Sequence, residues 1–188
     1  MDDVAHIVDL KYELESALEK IIEIKGLKDS GRSSALSLRA DLYVPDFDLL
    51  DTLKGLSGAL DDVSSWKEAI GSENLFASAR ALCQQLASAM KKYEVNDIVS
   101  YVNLIIESPP KIEGIDIALS SLPGLVILLQ NYKTDAELKK ALKELMNSIV
   151  IIGRAVDAIC SDPEEKKTVL HCIRMILQSA LNLSRQLD

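Results

Sequence analysis

Only 4% of the 188 residues are aromatic and two are histidine, alongside eight glycines, five prolines and three cysteines. Sheet proteins draw on aromatics for strands and on Gly, Pro and Asn for turns, so this scarcity argues for helices. Three cysteines cannot staple a disulfide scaffold, and Cys83, Cys160 and Cys172 read as buried thiols of a reducing cytoplasm. The longest apolar run, Leu125-Val126-Ile127-Leu128-Leu129, is far short of the ~18 residues that cross a bilayer. The opening Met1-Asp2-Asp3 is not the basic start of a signal peptide, which adds to the expectation of a cytoplasmic protein.

Basic stripes are lacking too. Residues 1–132 carry 12 Lys+Arg against 21 Asp+Glu, whereas 133–188 carry 9 against 8, so the net charge of -8 resides almost wholly in the first part. A nucleic-acid binder neutralises phosphates with clustered Lys and Arg, and anionic membranes ask the same, so neither is an expected partner. What the chain has is 48% hydrophobic residues over a length that can bury roughly two thirds of its unfolded surface. One domain over 1–188 is expected.

Apolar residues recur at spacings of three and four, which places them on one face of a helix and, where the spacings alternate, on a coiled-coil-like seam. The clearest seam is Leu138, Leu142, Leu145, Ile149, Ile152, Val156 and Ile159. It predicts a helix over 135–160, with Thr134 as N-cap and Glu137 completing a capping box. A second helix opens at Asp162-Pro163-Glu164-Glu165 with the seam Val169, Ile173, Ile176, Ala180, Leu183 and Leu187. Two residues separate these helices, which predicts an antiparallel hairpin with Cys172 opposite Ile152 and Cys160 opposite Glu164. The two thiols then lie roughly 12 Å apart along the axis, beyond disulfide reach.

Further helices are predicted over 2–28 (Val4, Ile7, Leu14, Leu18, Ile21), ended by Gly26 and Gly31, and near 33–43. Another is expected near 46–70, carrying Leu49, Leu53, Leu56, Leu60 and Val63, in which Gly55 and Gly58 would let a neighbouring helix approach. Helix 73–92, capped by Ser72, carries Leu75, Ala79, Leu82, Leu86 and Ala89, and a helix near 95–107 ends at the Pro109-Pro110 linker. The expected fold is therefore all-α, an antiparallel up-and-down bundle of about six to eight helices with heptad-like seams.

Segment 113–132 differs. Ile115, Ile117, Ala118, Leu119, Leu122, Leu125, Val126, Ile127, Leu128 and Leu129 cover nearly its whole circumference, so it is either central or docks on a partner, central burial being the leading expectation. Ile115, Leu119, Leu122, Leu125, Val126 and Leu129 are its candidate residues. Pro123-Gly124 should kink it or split it after Ser120-Ser121. Leu53-x-Gly55-Leu56 and Leu60 echo Leu122-x-Gly124-Leu125 and Leu129, a match that Leu-rich helices produce by chance.

Catalytic parts are missing. Asp3 and His6 stand one turn apart, yet a carboxylate-bridged metal bundle needs Glu-x-x-His on two helices, and none occurs. An acidic first turn complementing the helix dipole explains Asp3. His171, Cys172 and Cys160 form no Cys-x-x-Cys pair. Asp46, Asp48 and Asp51 lack the Gly and closing Glu of a calcium loop, and Ser64-x-x-Lys67 has no companion motif. No phosphate loop, nucleophile elbow or dinucleotide fingerprint is present. No catalytic residue, metal or cofactor is therefore expected.

Two stretches resemble a known family. Ile22-Glu23-Ile24-Lys25-Gly26-Leu27-Lys28-Asp29-Ser30-Gly31, with Leu53-Lys54-Gly55-Leu56, is similar to the opening of domain-of-unknown-function family sixteen-forty-one. Leu128-Leu129-Gln130-Asn131-Tyr132-Lys133-Thr134-Asp135-Ala136-Glu137-Leu138-Lys139-Lys140-Ala141-Leu142 is similar to its more characteristic part, although Thr134-Asp135-Ala136-Glu137 lacks the proline that members often carry. The resemblance spans about 20–156. It implies a small prokaryotic cytoplasmic helical protein, often encoded beside formate dehydrogenase or heterodisulfide-reductase-like subunits, with no catalytic residues. The expected function is that of a non-catalytic accessory or scaffold protein acting on another protein or by self-association, with a redox complex as one partner. The alternative is a bundle that binds an apolar small molecule or acyl chain.

Overall fold

The computed structural model describes residues 2–62 and 73–187. Among them it holds seven helices and no strand: α1 (Asp2–Ile22), α2 (Asp29–Asp41), α3 (Asp46–Asp61), α4 (Glu73–Glu107), α5 (Asp116–Gln130), α6 (Asp135–Ile159) and α7 (Pro163–Gln186). The fold is all-α, a helical bundle. Its contacts gather into two compact units, Met1–Tyr93 and Glu94–Asp188, so the division falls within α4 and not at the Pro109-Pro110 linker.

In the first unit α1 packs on α2 and α2 on α3. Ile7, Leu14, Leu18 and Ile21 are buried as their spacing predicts, while Val4 is half exposed. α1 stops at Ile22, six residues before its expected end, and Gly26 supplies the positive φ of the turn that follows. Gly31 does not help to end it, because it is already a buried residue of α2. Arg32 of α2 reaches back, donating from Nε to the Ile22 carbonyl at 3.1 Å and from Nη2 to the Ile24 carbonyl at 3.2 Å. These are carbonyls at and beyond the end of α1, where unpaired oxygens collect and a cation is favoured. Leu49, Leu53, Leu56 and Leu60 line the buried side of α3, and an Arg80–Asp61 ion pair ties α4 to its end. Ser72, Ser64, Lys67 and Val63, to which the sequence assigned roles, lie outside the described residues.

Helix α4 runs unbroken where two helices are expected, since 90–96 contains no Gly or Pro to stop it. Its buried stripe over 73–93 is Phe76, Ala79, Cys83, Leu86 and Met90. Leu75, Leu82 and Ala89, assigned to the seam, are only half-buried and sit one residue away from it. Past Met90 the buried stripe widens to Glu94, Val95, Ile98, Val99, Val102 and Ile105.

The second unit contains the hairpin that the sequence makes clearest. Leu138, Leu142, Leu145, Ile149, Ile152 and Val156 are each 0% exposed, and only Ile159, the last seam residue, is left in solvent. All six seam residues of α7 are buried as well. Thr134 Oγ1 accepts from the Glu137 N–H at 3.2 Å, but Glu137 returns a bond to the Lys133 N–H at 2.8 Å, one residue before the cap itself. Asp162 caps α7 through the N–H groups of Glu164 and Glu165. The Cys160 thiol donates to the Glu165 carboxylate at 3.9 Å. Farther along the hairpin Lys166 Nζ donates to the Asp157 carbonyl at 2.8 Å and Gly153 lies against Ile173, pairings within about two residues of the predicted register.

Candidate docking surface

Helix α5 is built from the segment that is apolar all round, and its neighbour decides which side is buried. α5 packs on α6, whose own stripe is narrow and regular. Ile115, just before the helix, and Leu122, Leu125, Val126 and Leu129 are buried, and Leu119 is half-buried. Five of the six candidate residues are thus core residues of the second unit. The rest of the helix keeps large aliphatic side chains in solvent: Ile117 is 87% exposed, Ile127 60% and Leu128 51%. The sequence does not single out these three, because an all-apolar helix has no phase from which to choose a buried side.

The helix is not split at Pro123. Pro123 and Gly124 are both exposed, so the backbone bond that proline removes lies on the wet side, where water can replace it. Ser121 Oγ instead meets Ser148 Oγ of α6 at 3.1 Å. Ile117, Ser121, Gly124 and Leu128 follow one another at helical spacings of four, three and four, and so share one face. Lys140, Glu144, Ser148 and Ile151 share a face of α6 in the same way, and Ile151 is 54% exposed.

The serine contact sets these two faces side by side. Ile117 and Ile151 then stand toward one end of an antiparallel pair, with Ile127 and Leu128 toward the other. At that second end Ile127, Leu128, Tyr132, Lys140 and Glu144 line an open groove of about 310 Å³. Burial, followed by the charge of Asp135, pushes the Tyr132 phenol above its ordinary pKa. The phenol is therefore a neutral hydrogen-bonding group beside the aliphatic residues.

The remaining sequence candidates are not brought together. Asp3 and His6 line an open groove of about 510 Å³ with Gln84, Gln85, Ser88 and Lys92, and no second histidine is among them. His171 is exposed on α7, and Asp48 and Asp51 are exposed on α3. No group of three or more His, Cys, Asp or Glu among the described residues is placed to hold a metal ion. All three cysteines are free, with Cys83 and Cys172 buried and Cys160, expected to be buried, only half-buried. Among the described residues no helix is long and apolar enough to cross a membrane. No family model, curated protein or solved structure matches the chain.

Proposed function

We propose that the chain is a non-catalytic accessory protein that works by docking the α5–α6 face on another protein. One observation carries this reading: a helix that supplies five core residues also holds Ile117, Ile127 and Leu128 in solvent, on the side away from that core. Isolated exposed aliphatics are ordinary on a protein surface, whereas several on one face, bordered by polar residues, mark an interaction site. The resemblance to domain-of-unknown-function family sixteen-forty-one makes a redox enzyme complex the partner to test first. An acyl chain is a poorer occupant, since it needs an enclosed apolar cavity and the groove here is open, with Lys140 and Glu144 on its edge.

The test is affinity capture from the source cells with the wild-type chain and with the Ile117→Glu/Leu128→Glu variant. A stoichiometric partner held by the wild type and lost by a variant of unchanged helical circular dichroism is the expected result. Failure to recover such a partner, or equal recovery by the variant, overturns the reading.

A further inference from the structure

The second unit has another surface whose chemistry is more specific. The end of α4 and the start of α7 flank a groove of about 690 Å³. Its floor is apolar, formed by Ile105, Val169 and Cys172, all buried, and Leu104 stands on its wall at 52% exposure. Its rim carries three carboxylates, Glu107, Glu164 and Glu165, against one cation, Lys111.

The carboxylates differ in what explains them. Glu164 and Glu165 lie in the first turn of α7, where negative charge complements the helix dipole. Glu107 is the last residue of α4, and no basic residue occupies that turn. The unpaired carbonyls of a helix end already make it negative, so a carboxylate there opposes the fold and adds to the negative potential over the groove. The three carboxylates are not gathered around a point: no cluster among the described residues is placed to hold a metal ion. Negative charge is spread along an apolar trough. From Glu164 to Cys172 the α7 wall extends roughly 12 Å, about two turns of helix.

We propose that this groove receives a basic amphipathic helix of a partner protein. Leu- or Ile-type side chains at i, i+3 or i+4, and i+7 fill the floor, and Lys or Arg side chains lie along Glu107, Glu164 and Glu165. Charge complementarity selects this occupant, since an acidic segment would be repelled by the rim and a purely apolar one would bring no positive charge to its three carboxylates. The site is separate from the α5–α6 face and does not depend on it.

The probe is a fluorescent Leu/Lys peptide of about two heptads, compared with a scrambled peptide of the same composition and with a Leu/Glu counterpart. Anisotropy should show binding of the Leu/Lys peptide alone. Leu104→Ser and Glu107→Lys should each weaken it roughly tenfold, and Lys111→Glu should tighten it. Glu107→Lys brings a favourable charge to the end of α4, so its loss of affinity is not a loss of fold. Equal binding of the scrambled peptide, or affinity indifferent to all three substitutions, overturns the proposal. Sedimentation of the chain alone and with phosphatidylglycerol vesicles covers other occupants: self-association or vesicle binding abolished by Leu104→Ser replaces the partner helix with a second copy or a lipid surface.

Discussion

The hydroxyls of Ser121 and Ser148 meet at 3.1 Å across the α5–α6 pair, while Ser121 also donates to the Ala118 carbonyl at 2.7 Å. A hydroxyl has one proton, so the Ser121 proton is committed to its own helix and Ser148 is the donor between helices. Both residues are half-buried. Replacing either by Ala should cost about 0.5–1.5 kcal/mol in urea unfolding, and the double variant less than the two single costs combined. Strict additivity would show that the bond is not made.

Seam position, and not residue type alone, should govern the response of α6. Leu145 is 0% exposed and Ile159 is 62% exposed, although both belong to one three-four series. Leu145→Ala should cost about 2–5 kcal/mol and Ile159→Ala no more than about 0.5. Leu145→Asp or Ile149→Asp, each burying an unpaired charge, should prevent cooperative folding. Thermal melts followed by circular dichroism distinguish these outcomes.

The contrast between those residues also shows which parts of the fold were legible. Helices α6 and α7 could be read because one apolar stripe, a capping residue and a short turn all agree at each boundary. Helix α4 offers pairs of adjacent apolar residues, Leu75 and Phe76, Leu82 and Cys83, Ala89 and Met90, so spacing alone could not choose between two phases one residue apart. Its continuity through 93–94 was equally hidden, since the change in its buried face looks in sequence like a boundary. On α5 the segment was recognisable as the place to look, but which residues stayed in solvent depended on α6, a tertiary fact with no signal in α5 itself.

Glycine substitutions should separate two kinds of site. Among the described residues a Cβ added at Gly55 or Gly58 of α3 meets nothing within 4 Å, so none of the described helices makes the close approach expected there. Alanine at either should stabilise the protein by roughly 0.5–1 kcal/mol through higher helix propensity and a more restricted unfolded chain. At Gly153 the added Cβ would come within 3.2 Å of Ile173 Cγ2, so Gly153→Ala should yield a smaller gain or a loss. The change in Tm across the three variants checks the ordering.

The cysteines should report on which helix opens first. Burial pushes the Cys83 thiol from its ordinary value near 9 up to about 12, whereas Cys160 is half-buried at the exposed turn between α6 and α7. The thiolate is the reactive species, so a disulfide reagent at pH 8 should modify Cys160 first and Cys83 only as the first unit unfolds. The same shift has a sign for stability. Below about pH 9 the thiol is protonated in both states, and its contribution is fully present; between about 9 and about 12 the unfolded chain loses the proton while the folded chain keeps it, so stability falls with rising pH. Cys83→Val should flatten that part of the pH profile, measured by urea unfolding, without changing its slope near neutrality. Native labelling of Cys83 as fast as Cys160 would instead place the buried stripe of α4 in exchange with solvent.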